Sequence, residues 1–127
     1  MEFKNLPQSS PFSNFQDYYL KAEEHGEKFI EAGCISSVDN ENKPHSRFVN
    51  FKYFFEDSLI FFSSYKSKKA DNFSANNNIC INFWWPSIET QVRIEGTISK
   101  CEEKFSDEHF FGRDAGKNIA AMVSNQS

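Results

Sequence analysis

The 127 residues are 39% apolar and 25% charged, a globular composition with material for one core, since a chain of this size buries roughly two thirds of its extended surface. Fourteen Lys and Arg against 18 Asp and Glu give a formal charge of −4, so the chain is no polycation and a nucleic-acid partner would need a concentrated basic patch. Fifteen Phe and 17% aromatic residues favour strands and speak against an all-α bundle.

The opening MEFKNLPQSS has no apolar h-region, and no stretch approaches the roughly 20 apolar residues of a membrane span, so neither export nor membrane insertion is expected and a cytoplasmic location follows by default. After Ser10 and Pro11, residues Phe12, Phe15, Tyr19 and Leu20 recur at helical spacing before the polar run KAEEHGEK, with Gly26 as a stop signal. This predicts one amphipathic helix from about Phe12 to His25.

From Cys34 the pattern changes to short β-type runs separated by turn chemistry: CISSV, DNENKP, SRFVNFKYF, FEDS and LIFFSS, which read as two hairpins in series. Arg47, Val49, Phe51 and Tyr53 alternate with Phe48, Asn50, Lys52 and Phe54, so both faces of that strand carry aromatics and both are expected to be covered, by flanking elements or by a partner subunit. Ser67 can cap a short helix through KKADNFSAN, and Ile79 to Trp84 and Gln91 to Ser99 supply two more strands around Pro86, five in all. From Glu102 the tail reads as a helix carrying Phe105 and His109, a loop from Gly112 to Gly116 and a short helical piece IAAMV. A single domain is expected over 1–127: an N-terminal helix region (1–26), barrel strands (34–99) and a C-terminal helical part (102–127).

Cys34, Cys80 and Cys101 are isolated and read as buried reduced thiols, and His25, His45 and His109 form no pair at ligand spacing, so no metal is expected. In SYKSKKA, Lys66, Lys68 and Lys69 crowd the start of a predicted helix, where the macrodipole disfavours cations. A bound phosphate would turn that arrangement into an anion site, while the plainer alternative is a solvated, solubilising loop. Arg47 and Lys52 interrupt an apolar strand and, five apart, face opposite sides of a regular one. Either a bulge brings them together, or they serve different parts of one ligand, or each snorkels to the barrel rim.

In QVRIEG, Gln91, Arg93 and Glu95 form one polar strand face, and the Gln91 amide can both donate and accept, as the edge of a flavin ring requires, although a surface glutamine is the commoner case. Trp84 and Trp85 read as core or interface more than as a base-stacking platform. The chain has no P-loop, no GxGxxG and no GxSxG elbow, which removes the usual carriers of phosphate-transfer, dinucleotide and serine-hydrolase chemistry.

Taken in order, SSVDNENKPHSRFVNFK, FFSSYKSKKA, FWWPSIETQVRIEG, FFGRD and MVSNQS resemble the pyridoxamine 5′-phosphate oxidase family, and PFSNFQDYYLKA resembles the helix that precedes its barrel. The resemblance implies a mainly β fold, the FMN-binding split β-barrel, antiparallel and Greek-key-like with a few flanking helices. It places FMN contacts on Arg47, Lys52, Phe62, Ser63, Lys68, Lys69, Gln91, Gln126 and Ser127, with Lys68 standing where Arg is common. It places substrate-phosphate contacts on Lys52, His109, Arg113 and Lys117, with His109 and Lys117 standing where the family usually has Tyr and Ser.

The same resemblance implies a homodimer with FMN at the subunit interface and a small phosphorylated substrate, pyridoxamine or pyridoxine 5′-phosphate, oxidised to pyridoxal 5′-phosphate with oxygen as acceptor. The family continues past the position of Ser127 into a segment supplying a Trp, an Arg-x-His element and a further Arg, so the expected oxidase is one impaired or altered in substrate. The alternatives from other classes are a flavin-binding module without oxidase activity, a flavin-dependent reductase of the same fold, or a barrel persisting as an interaction domain.

Overall fold

Phe15, Tyr19 and Ala22, four and three residues apart, line up on one side of a helix and form the buried face of α1 (Phe12–Glu24). Leu20 lies off that stripe and is exposed. The helix ends in a glycine cap: Gly26, at φ +72°, donates its N–H to the Glu23 carbonyl, and Glu27 donates to that of Ala22. The computed structural model describes residues 1–63, 76–100 and 119–125, the last stretch as backbone.

Among the described residues seven strands accompany the helix: β1 (Glu2–Lys4), β2 (Ala32–Val38), β3 (Pro44–Phe55), β4 (Ser58–Ser63), β5 (Asn78–Trp85), β6 (Thr90–Lys100) and β7 (Ile119–Asn125). The sheet order is β1-β3-β2-β5-β6-β7-β4, and a further β3–β4 pairing closes β3, β2, β5, β6, β7 and β4 into a ring. All pairings in the ring are antiparallel. The twelve-residue β3 makes closure possible by serving two neighbours in turn: Pro44–Asn50 pairs with β2, and Phe51–Phe55 pairs with β4 across a register shift between Phe51 and Tyr53. A shift of this kind bends the strand and increases its twist. β1 runs parallel to β3 beside Tyr53–Phe55.

Inside the ring the odd-numbered residues of β2, of β5 and of β3 as far as Phe51 point inward, and Ile35, Phe51, Ile81 and Phe83 are fully buried. The helix closes one side of this core. Phe15 meets Phe54, Phe83 and Trp85 at ring separations of 5.2, 5.5 and 5.7 Å, and Tyr19 meets Trp85 edge-on at 5.8 Å. Burying each such ring contributes about 1.5–3 kcal/mol. The Trp85 indole N–H donates to the Ile30 carbonyl at 3.1 Å, so the large apolar body is buried with its polar edge satisfied.

Five strands and the helix match the sequence expectation, and three points differ from it: β1 has no counterpart among the expected strands, Cys34 and Cys80 are half-exposed and not buried, and β7 stands where a helical piece is expected. IAAMV is part of strand β7 and not a helical piece: its backbone pairs on one side with β4 and on the other with the end of β6, where a helix would leave both edges open. Within the single chain the outer face of β3 is open at Phe48, which is 74% exposed, on a strand whose cover is expected from flanking elements or a partner subunit. The two tryptophans divide, Trp85 into the core and Trp84, 61% exposed, onto the outer face. The helix expected at KKADNFSAN and the one expected to carry Phe105 and His109 lie outside the described residues. Among the described residues no helix is long and apolar enough to cross a membrane.

Candidate functional site

The β2–β3 hairpin turns at Asp39–Lys43, where one Asp39 carboxylate oxygen accepts the N–H groups of Glu41 and Lys43 at 2.8 and 2.9 Å. The other oxygen meets His45 Nε2 at 2.8 Å. The His45 contact first, then the backbone donors, hold the Asp39 carboxyl down at about 2. This fixed turn sets the register that pairs Ser37 with His45 and Ile35 with Arg47.

Arg47 therefore sits in an inward-facing row, Arg47, Ile35, Ile81 and Ile94 across four strands. Its Nη1 donates to Ser37 Oγ at 2.9 Å and lies 3.3 and 3.4 Å from the carbonyls of Ile35 and His45. These acceptors are neutral, and burial pushes the guanidinium below its ordinary value. Ser37, 3% exposed, lies on the wall of a cavity of about 490 Å³ that Ser36, Val38, Asn78, Cys80, Glu95 and Gly96 also line. That volume falls within the range of small-ligand sites. Asn78 follows the segment that carries Lys68 and Lys69, and Gly96 pairs with Asn125, the residue before Gln126 and Ser127.

The outer face of the same four strands carries a second set, which includes Ser36, Cys80 and Glu95 of the cavity wall. Phe48, Cys34, Asn82 and Arg93 form one row, and Ser46, Ser36, Cys80 and Glu95 the next. Ser36 and Ser46 share a hydroxyl hydrogen bond of 2.7 Å, and Arg93 and Glu95 form an exposed ion pair. The Cys80 thiol first, then the Glu95 carboxylate, raise the Arg93 guanidinium above its ordinary value. Gln91 lies on this face too, paired with Trp84, and donates its amide to Asn82 Oδ1 at 3.1 Å. Gln91 and Arg93 also border a second cavity of about 330 Å³ against Phe12, Asn14 and Tyr18 of α1.

Lys52 and Phe62 occupy a third place, the outer side of the β3–β4 corner. Lys52 Nζ is 3.3 Å from Glu31 Oε2. Phe62 packs edge-on against Tyr53 at 6.2 Å, and the Lys4 ammonium stands 5.4 Å from the Tyr53 ring centre. The register shift at Lys52 bends β3 without bringing Lys52 to Arg47, which keep separate partners.

Of the positions expected from sequence, Arg47, Lys52, Phe62 and Gln91 are thus described with their side chains. Ser63 is placed by its backbone at the end of β4, opposite Ile119. Lys68, Lys69, His109, Arg113, Lys117, Gln126 and Ser127 lie outside the described residues. Sequence reasoning missed Ser37, Glu31 and Tyr53 as companions of these groups. Glu31 and Lys52 are far apart in sequence, and only the β2–β3 register reveals the pair. For Ser37 a signal exists, since CISSV and SRFVNFK form the two arms of a hairpin in the sequence pattern.

The sequence profile of the family described as Pyridoxamine 5′-phosphate oxidase matches residues 23–127. A pyridoxine/pyridoxamine 5′-phosphate oxidase of Hydrogenovibrio crunogenus is 35% identical over 120 residues, covering 94% of this chain and 56% of that protein. The chain thus spans a little over half the length of such relatives. Among solved structures, PhzG from Burkholderia lata, in complex with tetrahydrophenazine-1-carboxylic acid, superposes with a TM-score of 0.83 at 15% identity, over 94% of this chain and 78% of that one. A pyridoxamine 5′-phosphate oxidase-related FMN-binding protein from Nostoc punctiforme superposes with a TM-score of 0.65 at 20% identity, over 80% and 54%. At those identities the structural likeness establishes the split-barrel fold, and the profile match across β2 to β7 establishes descent: the chain belongs to the pyridoxamine 5′-phosphate oxidase family.

Proposed function

We propose that this chain binds FMN between two copies of itself and uses it to oxidise a small phosphorylated substrate of the pyridoxamine or pyridoxine 5′-phosphate kind, with oxygen as acceptor. The observation that carries the reading is Arg47, a half-buried guanidinium bonded to Ser37 on the wall of a ligand-sized cavity. The residues present fit a phosphorylated, hydrogen-bonding ligand: the hydroxyls of Ser36 and Ser37 and the Asn78 amide line the cavity, and Arg47, bonded to Ser37 from behind that wall, adds a cation with a planar donor fork. Glu95, the acid on the same wall, is engaged by Arg93.

Bound FMN would supply the hydride-accepting chemistry, and the protein's share is binding and orientation. Arg47 would anchor the phosphate end, with Lys52 adding positive charge at the β3–β4 corner. Phe62, braced by Tyr53, would offer an apolar edge, and Gln91 an amide able to donate and accept at the ring. Arg47 and Gln91 face opposite sides of the sheet, since Arg47 shares the inward row of Ile94 and Gln91 stands three residues earlier on the outer face. One flavin is better served by Arg47 of one copy and Gln91 of another, which supports a homodimer, as do the exposed rings of Phe48 and Trp84. The same reading puts the protein in the cytoplasm.

His109 and Lys117, which stand where the family usually has Tyr and Ser, favour a second reading, a flavin-binding module that does not turn over pyridoxamine 5′-phosphate. One assay separates the two: purified protein supplied with FMN and pyridoxamine 5′-phosphate, with hydrogen peroxide as readout. Peroxide above an FMN-only blank supports the oxidase, and yellow protein with no peroxide leaves the binding module.

A further inference from the structure

We infer that Glu31 is a positioning residue for Lys52, a built-in counter-anion that occupies the ammonium until a phosphorylated ligand takes its place. The inference rests on Lys52 serving a phosphate, as the proposed function has it. Lys52 extends from the outer side of β3 at the register shift, and its Nζ lies 3.3 Å from Glu31 Oε2. Glu31 is held in place by its backbone, because its carbonyl accepts the Phe51 N–H at 2.9 Å and thereby ties it to the residue before Lys52. Its Oε2 is buried and accepts no hydrogen bond, so the ion pair is the interaction found for that oxygen. A buried carboxylate oxygen without a hydrogen bond is an unusual thing to keep, and here it faces the cation.

Two consequences follow from Coulomb's law. With no ligand, the carboxylate keeps the half-exposed ammonium folded back against the sheet, where it would otherwise sample many rotamers. With a ligand, a phosphate reaching the same ammonium competes with Glu31 and is repelled by it. Glu31 therefore sets the affinity for phosphorylated ligands downward and leaves their uncharged counterparts alone. When Lys52 is drawn away, Glu31 Oε1 still lies 3.5 Å from the amino nitrogen of Met1, which donates to Tyr19 Oη at 2.7 Å, so the carboxylate keeps a cationic neighbour.

The test uses the full chain and two matched pairs of probes: FMN against riboflavin, and pyridoxine 5′-phosphate against pyridoxine. Glu31→Gln is expected to tighten the phosphorylated member of at least one pair by about threefold or more at low salt, the size of one unit charge removed at about 6 Å in a water-like dielectric. The effect should shrink with added salt. The dephosphorylated members should not change, Glu31→Asp should stay near the wild type, and in a Lys52→Met background, where only direct repulsion is left, Glu31→Gln should have a smaller effect. A general structural role would move both members of a pair together.

Equal or weaker binding of both phosphorylated probes by Glu31→Gln, while the wild type and Lys52→Met still differ in preference for phosphate, overturns the role of Glu31 and leaves the phosphate site standing. A wild type that binds FMN no better than riboflavin and pyridoxine 5′-phosphate no better than pyridoxine takes down the phosphate reading and this inference with it.

Discussion

Arg47 Nη1 donates to Ser37 Oγ at 2.9 Å, joining the two strands of the first hairpin at the wall of the larger cavity. Ser37 is buried and the bond is charge-assisted, so Ser37→Ala should lower the free energy of unfolding by about 1–2 kcal/mol. Urea unfolding measures this. The same substitution loosens the guanidinium, and FMN should bind more weakly to it than to the wild type, with Arg47→Ala weaker still.

Gly33 lies on the inward face of β2, and a Cβ there would stand 2.8 Å from Phe51 Cε2 and 3.1 Å from both Ile81 Cγ2 and Phe83 Cε1. Three packed side chains would have to give way. Gly33→Ala should therefore destabilise the fold by about 1–3 kcal/mol through overpacking. An unchanged urea midpoint would mean that this part of the core is looser than described.

The adjacent tryptophans should behave oppositely. Trp85→Phe removes the donor to the Ile30 carbonyl and part of a fully buried ring, an expected loss of about 2–3 kcal/mol. Trp84→Phe should stay within about 0.5 kcal/mol of the wild type. Trp84→Lys, which puts a charge on the outer face, should shift sedimentation toward the monomer if that face joins two copies.

Asp39 carries a pH signature. Its folded-state carboxyl titrates at about 2 against an ordinary value of 3.8, because His45 and two backbone N–H groups stabilise the anion. A depressed folded value means that the contribution to stability is complete above pH 3.8 and is lost as pH falls toward 2. Asp39→Asn should lack that component, so its stability should fall less steeply than the wild type's between about pH 4 and 2. Parallel curves for the two proteins would contradict the assignment.

Much of the barrel was legible because its strands alternate locally: Val49 and Phe51 inward, Phe48 and Asn50 outward, with DNENK as an unmistakable turn. What escaped was non-local. β1 is only three residues long and gains its place by pairing with Tyr53–Phe55, about fifty positions away, and no local pattern encodes that. IAAMV is a short apolar run whose period does not separate helix from strand, and the arbiter is the gap between β4 and β6 that it fills. At the site, Arg47 and Lys52 announced themselves as charges in an apolar strand. Their partners, Ser37 and Glu31, lie on the neighbouring strand and the loop before it, visible only once register is known. The separation of Arg47 from Gln91 across the sheet was likewise beyond a reading of single strands.

If the cavity beside Arg47 and Ser37 belongs to a flavin phosphate site, the visible absorption spectrum of the purified protein, after FMN loading and removal of excess, will show near-stoichiometric flavin bands that are lost in Arg47→Ala. A folded, colourless protein that stays colourless after loading contradicts it.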